Sequence, residues 1–263
     1  MPYALITGAS KGIGKEIAVS LAKRKYNLLL IARSENLLSE LAGELQKKYG
    51  VTVWYYAIDL SSPNAAKDII TWCQKENYDI NVLVNNAGYG LHGAFETLSL
   101  DEQLNMMHLN MSACVRLTYL ALPLLRQHKG KSYILNIAST SAYQAVPFLG
   151  IYSATKAFVL SFSRAIRLEL KDSNISVTCL SPGAVETNFM ERAGMDKVKK
   201  IAKQAAKFNM NASTVAEFGI NAMLKGKAEV IPGLANKVGA YSNRLLPKSI
   251  VEGVAKGLYA PEK

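Results

Sequence analysis

The stretch YALITGASKGIGKEIAVSLAKRKYNLLLIARSE, residues 3–35, joins two apolar runs through a glycine-rich turn and a segment of helical periodicity. YALIT (3–7) and NLLLIA (27–32) are continuously apolar, the pattern of strands covered on both faces. Between them TGASKGIG (7–14) leads into a helix expected over 12–25. Gly8, Gly12 and Gly14 allow a tight turn and let the backbone approach a pyrophosphate at the helix N-terminus. The spacing is G-x-x-x-G-x-G, and glycines also serve plain turns. Its place between a strand and a helix, at the start of a βαβ unit, points to a nucleotide site.

The same alternation continues along the chain. Strands are expected at 51–58 (VTVWYYAI), 81–85 (NVLVN), 133–138 (YILNIA), 175–180 (ISVTCL) and 229–232 (EVIP). Helices are expected at 35–48, 63–77, 101–127 and 152–171, the second helix capped by Ser34 and the third introduced by Ser61 or Ser62 before Pro63. No linker or low-complexity tract divides the chain, so it reads as one domain, 1–263. Repeated strand–helix units with right-handed crossovers give an α/β fold: a Rossmann-type, doubly wound parallel sheet of about seven strands with helices on both faces. Ligands on such a sheet bind beyond the carboxyl ends of the strands.

Composition narrows the function. Hydrophobic residues make up 49% of 263, enough for a large core, and no apolar run reaches the roughly 18 residues of a membrane span. The N-terminus enters a strand directly, with no leader pattern. Cys73, Cys114 and Cys179 are far apart and read as reduced thiols, and His92, His108 and His128 show no ligand spacing with them. A cytoplasmic protein without a metal is expected. The net charge of +11 is mostly dispersed over polar helix faces, and no aromatic-interleaved basic strand suggests nucleic-acid binding.

The residues that follow each strand carry the chemistry. Arg33 stands 19 residues beyond Gly14, where an acid would accept from a ribose 2′-hydroxyl, and Lys11 sits in the glycine loop. Two cations suit a 2′-phosphate. Glu35, the nearby acid, belongs to a helix's first turn. Asp59-Leu60 follows the third strand and Asn85-Asn86-Ala87-Gly88 the fourth; each alone is compatible with turn chemistry. Ser139 and Ser141 follow the fifth, and Pro182-Gly183 turns the chain after the sixth. In IYSATKAFVLSF (151–162), Tyr152 and Lys156 share a helix face. Alone, such a pair reads as a snorkelling lysine beside a surface tyrosine.

TGASKGIG, Asp59, NNAG, Asn110, Ser139, YSATK and PGAVET, in this order over residues 3–190, resemble the short-chain dehydrogenase/reductase family. The resemblance implies a catalytic set of Ser139, Tyr152, Lys156 and Asn110. Tyr152 would be the acid–base group, its pKa lowered by the Lys156 ammonium. Ser139 would hold the carbonyl oxygen, and Asn110 would support a water in a proton relay. For NADP(H), Gly8, Ser10, Gly12, Ile13 and Gly14 would line the phosphates, with Lys11 and Arg33 at the 2′-phosphate. Asp59 and Leu60 would flank adenine, and Asn86, Ala87 and Gly88 the ribose. Tyr152 and Lys156 would touch the nicotinamide ribose, and Pro182, Gly183, Val185 and Thr187 the carboxamide side. The implied reaction is NADPH-dependent interconversion of a ketone or aldehyde and an alcohol. A nonenzymatic NADP sensor or scaffold on the same fold is the alternative, against which the intact proton-transfer set argues.

Beyond residue 190 the resemblance thins. Residues 190–226 are expected to form a substrate lid, and 234–263 a C-terminal tail. In MDKVKKIAKQAAKF, Val198, Ile201, Ala202 and Ala205 share a face, with Lys199, Lys200, Lys203 and Lys207 over the remainder. That helix reads as a lid with a solvated face; a membrane-surface helix or a dock for an acidic acyl carrier stays open. The tail looks like the branch with hydroxysteroid dehydrogenases and long-chain 3-oxoacyl-CoA reductases. It suggests an apolar small-molecule carbonyl or alcohol substrate, or else an oligomer contact. The resemblance also implies a homodimer or homotetramer.

Overall fold

The structure, a computed structural model, describes residues 1–196, 198–242 and 246–260, with only the backbone over 204–208. Five βα units and a sixth strand succeed one another: β1 (Tyr3–Thr7), α1 (Gly12–Lys23), β2 (Asn27–Ala32), α2 (Glu35–Tyr49), β3 (Val53–Ala57), α3 (Ala65–Lys75), β4 (Ile80–Asn85), α4 (Leu100–Met107) and α5 (Ala113–Gln127), β5 (Ser132–Ile137), α6 (Gly150–Glu169) and β6 (Ile175–Leu180). After β6 come α7 (Phe189–Arg192), α8 (Lys199–Phe208), α9 (Ala212–Leu224), β7 (Glu229–Val230), α10 (Leu234–Ser242) and α11 (Lys248–Tyr259). The seven strands form one sheet, ordered β3-β2-β1-β4-β5-β6-β7, and every pairing is parallel.

The continuous apolar runs are explained by the two layers they serve. Ala4, Ile6, Leu28 and Leu30 face α1, α2 and α9, packing with Ile17, Leu21, Leu38, Val215 and Ile220. Leu5, Leu29 and Ile31 face the other way, against Ile69, Leu117, Ala121 and Leu125. Alternate side chains therefore enter two different cores, and neither face can be polar. Strand order reverses between β1 and β4, and the crevice at that switch point is where the functional residues gather.

Several local expectations change. The 101–127 helix is three segments, because a π turn at His108–Ser112 separates α4 from α5. Ser34 is the N-cap of α2 but makes no side-chain capping bond, and α3 begins at Ala65 behind Asn64 rather than at Ser61 or Ser62. Of the expected lid, only α7 and α8 lie over the crevice side. In α9, Val215, Ala216, Ile220 and Met223 are fully buried against the sheet, so this part is core. Lys199, Lys200 and Lys203 are exposed and Val198 and Ile201 buried, as the amphipathic pattern required. The side chains of Ala205 and Lys207 lie outside the described residues. All three cysteines are buried and unpaired. Among the described residues there is no cluster of metal-ligating side chains, and no helix is long and apolar enough to cross a membrane.

Candidate active site

Thr7, the last residue of β1, organises the crevice. Its Oγ1 donates to the Val84 carbonyl (3.1 Å) and accepts from the backbone N–H groups of Asn86 (3.0 Å) and Ala87 (3.1 Å). Asn86 Nδ2 returns the connection, donating to the carbonyls of Thr7 (2.9 Å) and Gly8 (3.1 Å). The Asn86 amide is thus spent on the loop, a structural use that its expected place by the ribose did not include. Gly8 and Gly12 have φ of +65° and +56°, the left-handed region that favours glycine. A Cβ on Gly14 would collide with the Gly8 carbonyl oxygen and Asn86 Nδ2. The turn is a cradle with no space for side chains, open on the crevice side.

At one end of this cradle stand Lys11 and Arg33. Arg33 reaches Asp59 at 3.8 Å, and Asp59 accepts from Ser61 N and Ser61 Oγ, both at 2.9 Å. Burial would raise the Asp59 carboxyl, but the Ser61 hydrogen bonds and the charges of Arg33 and Arg192 hold it below its ordinary value. Arg192, at the end of α7, was missed in the sequence. It lies over the Tyr89 ring, 4.4 Å from its centroid, and partial burial and the like charge of Arg33 lower its pKa.

The other end holds the hydroxyls and the lysine. Helix α6 places Tyr152 and Lys156 on its buried face, 8% and 6% exposed. Lys156 Nζ lies 5.8 Å from the Tyr152 ring centroid and donates to the Ile137 carbonyl at 2.9 Å. Ser139 Oγ accepts from Ser141 N at 3.2 Å, and its own proton goes to the Tyr152 hydroxyl. Burial lowers the Lys156 pKa to about 8, countered in part by the Cys114 and Cys179 thiols. The expected depression of Tyr152 by Lys156 is not found. Burial raises the Tyr152 phenol well above 10, opposed by its hydrogen bond with Ser139 and reinforced by Tyr259. Desolvation disfavours the phenolate more than the lysine, itself partly discharged by burial, can favour it.

Asn110 is buried, 2% exposed. It sits in the π turn, and its side chain accepts from Tyr89 N (3.1 Å) while donating to Tyr89 O (2.9 Å) and Thr155 Oγ1 (3.0 Å). Both amide protons are committed, so the residue locks the NNAG turn to α6. Beside it, a small cavity of about 10 Å³ is lined by Thr7, Asn85, Asn110, Cys114 and Lys156, about the room of one water. Asn85 Oδ1 is buried there without a hydrogen-bond partner.

One cleft of about 1170 Å³ takes in every expected site residue except Gly14, behind the cradle, and Asn110. The cleft also reaches residues the sequence did not indicate. A Cβ on Gly183 would meet the side chain of Asn236 in α10. Phe189 packs against the Tyr152 ring, centroids 5.3 Å apart. Met195, Ile201, Val251, Leu258 and Tyr259 complete an apolar wall. Tyr259 is pinned through its carbonyl, 2.7 Å from His92 Nε2. A tyrosine directly after NNAG was a usable signal for Tyr89; nothing local marked Asn236 or Tyr259.

Comparison with known proteins agrees with this geometry. The profile of the family described as short chain dehydrogenase matches residues 2–198. A very-long-chain 3-oxoacyl-CoA reductase of Laccaria bicolor is 34% identical over 206 residues, 78% of this chain but only 58% of that protein. The human 17-beta-hydroxysteroid dehydrogenase type 3 is 31% identical over 250 residues, 93% of this chain and 80% of that one. A short-chain dehydrogenase from Sphingobium yanoikuyae, solved in complex with NADPH, superposes with a TM-score of 0.81 at 30% identity, covering 100% of this chain and 97% of the other. Because the profile takes in the glycine cradle, the NNAG turn and the helix of Tyr152 and Lys156 together, the chain belongs to the short-chain dehydrogenase family.

Proposed function

We propose that the protein is an NADP(H)-dependent oxidoreductase interconverting a carbonyl and an alcohol, with an apolar substrate. The observation that carries this is a single cleft joining a side-chain-free cradle, flanked by Lys11 and Arg33, to Ser139, Tyr152 and Lys156. The cradle fits a pyrophosphate, and the exposed cations fit a 2′-phosphate that an acid at position 33 would repel. When bound, the reduced nicotinamide supplies the hydride that the carbonyl carbon takes up.

The chain's own residues supply the rest. Tyr152, kept protonated by burial at neutral pH, donates its proton to the carbonyl oxygen. Ser139, its oxygen engaged by Ser141 N, turns its proton toward the same oxygen and stabilises the charge gathering there. Lys156, with a pKa of about 8, returns a proton to the tyrosine after turnover. A water in the cavity beside Lys156, donating to Asn85 Oδ1, would pass to Lys156 a solvent proton replacing the one it gave up, and Asn110 acts as a positioning residue through Tyr89 and Thr155. The apolar wall from α7 to α11 supports an alkyl-chain or polycyclic substrate, in keeping with the names of the fungal and human relatives.

The test is NADPH oxidation against matched ketones of increasing apolar surface. Turnover with the longer or bulkier members is expected. NADPH binding measured by fluorescence without turnover on any carbonyl, in wild type as in Tyr152→Phe, would favour a sensor instead.

A further inference from the structure

Tyr259, at the end of α11, carries a hydroxyl that the mechanism leaves unused. Val251, Ala255, Leu258 and Tyr259 fall at i, i+4, i+7 and i+8, one face of the helix, and all four line the cleft. Three of these side chains are hydrocarbon, so Tyr259 supplies the hydrogen-bonding group of that face. Tyr259 packs against the cluster that includes Tyr152, Met195 and Ile201, at the catalytic end of the cleft. The Tyr152 pKa, raised chiefly by burial and opposed by the Ser139 hydrogen bond, is raised further by Tyr259, so the two phenols lie within electrostatic reach of each other. The Tyr259 hydroxyl has no hydrogen-bond partner among the described residues, and burial alone raises its own pKa. Its backbone is nevertheless held from two sides. His92 Nε2 lies 2.7 Å from the Tyr259 carbonyl, and Lys200 Nζ donates to the Gly257 carbonyl at 3.4 Å.

An apolar substrate that fills the cleft displaces water from this hydroxyl. A hydrocarbon flank would leave the donor buried and unpaired, which lowers affinity by about five- to a hundredfold. On the reaction proposed above, the carbonyl that is reduced cannot be its acceptor. That oxygen has two lone pairs, and Tyr152 and Ser139 take both. The acceptor is then a second oxygen of the substrate, close to the reacting one because Tyr259 shares the Tyr152 cluster.

We infer that Tyr259 is a specificity-determining residue whose hydroxyl donates to a second acceptor oxygen of the substrate, near the carbonyl that is reduced. The inference rests on the carbonyl–alcohol reading and narrows it: the substrate is an apolar ketone with a neighbouring carbonyl or ester oxygen, rather than a plain alkyl ketone. A site that offers a hydrogen bond rejects an analogue lacking the partner more strongly than an apolar pocket rejects a missing methylene.

The experiment compares keto esters, with the ketone at successive positions from the ester, against alkanones of equal length. In wild type, kcat/KM for the preferred keto ester should exceed that for its alkanone by about tenfold or more. Tyr259→Phe keeps the ring and removes the donor. It should cut the ratio of the two by about tenfold, through KM, with thermal unfolding unchanged. Binding of the same pairs to the full chain with oxidised NADP, followed by calorimetry, needs no turnover. It should show the same preference in wild type and its loss in the variant. No preference for any keto ester in wild type, or an equal fall for both substrates in Tyr259→Phe, would overturn the inference. Preferential binding that the variant loses, without turnover of any ketone, would uphold it and remove the reaction instead.

Discussion

The two walls of the cleft are built by different physics. The wall formed by the ends of β1 to β6 is fixed by directional bonds: Thr7 makes three, Asn86 two and Asn110 three. Its glycines leave no room for a Cβ. The wall formed by α7, α8, α10 and α11 rests on apolar contact among Met195, Val198, Ile201, Phe189, Met190 and Tyr259, with few polar ties such as His92 to Tyr259. Directional bonds in a dry site hold one geometry and fail if any partner is lost. Apolar contacts repack under substitution of similar volume. The first wall is suited to a fixed cofactor, and the second to a substrate shape that can change without disturbing it.

The sharpest break of that contrast is Tyr152→Phe, which keeps the packing and removes one proton. Turnover should fall by about 10² to 10⁴, while NADPH affinity by fluorescence titration stays within about twofold of wild type. Retention of a tenth of the activity, with chemistry limiting, would remove Tyr152 from its role.

Arg33→Asp tests the polar wall at its other end. Charge-assisted hydrogen bonds contribute about 1.5 to 3 kcal/mol each, so the ratio of NADPH to NADH affinity should drop by about ten- to a hundredfold. Arg192→Leu should leave that ratio less affected, because its guanidinium is already engaged with the Tyr89 ring. A wild type that binds both cofactors equally would contradict the assignment of Lys11 and Arg33.

Lys156 shows what the polar wall costs. Its pKa, lowered from 10.5 to about 8 by burial, corresponds to at most about 3 kcal/mol of destabilisation while it is charged. The folded state binds fewer protons than the unfolded one between those values, so this cost is full below about pH 8 and gone above 10.5. Lys156→Met removes the charge but orphans the Ile137 carbonyl, which returns about 1 to 3 kcal/mol. Activity should be lost. Denaturant unfolding should find the wild type gaining stability relative to the variant as pH rises from 8 to 10; a constant difference would mean that the lysine titrates normally.

The apolar wall should respond by increments. A buried methylene contributes about 0.8 kcal/mol, so kcat/KM should rise severalfold per two carbons in a ketone or 3-oxoacyl series. Leu258→Asn, or truncation after Gly233 where the core still folds, should flatten that slope with cofactor affinity little changed. A slope unaltered by both would place the tail outside substrate recognition.

Sequence by itself determined the features whose cause is local. Continuous apolar runs required a sheet covered on both faces; glycines at 8, 12 and 14 required a backbone cradle after β1; Tyr152 and Lys156, four apart on a helix, had to share a face. Tertiary structure alone decided what depends on partners far along the chain. Arg192 meets Tyr89 across 103 residues, and Asn236 closes on Gly183 across 53, pairings no spacing rule encodes. The same holds for α9, whose place in the core comes from its contact with α1 and the sheet rather than from its own periodicity. Electrostatics belongs here too. The sequence put a cation beside Tyr152 and so suggested a lowered pKa, but the depth of burial, a property of the whole packed molecule, raised it instead.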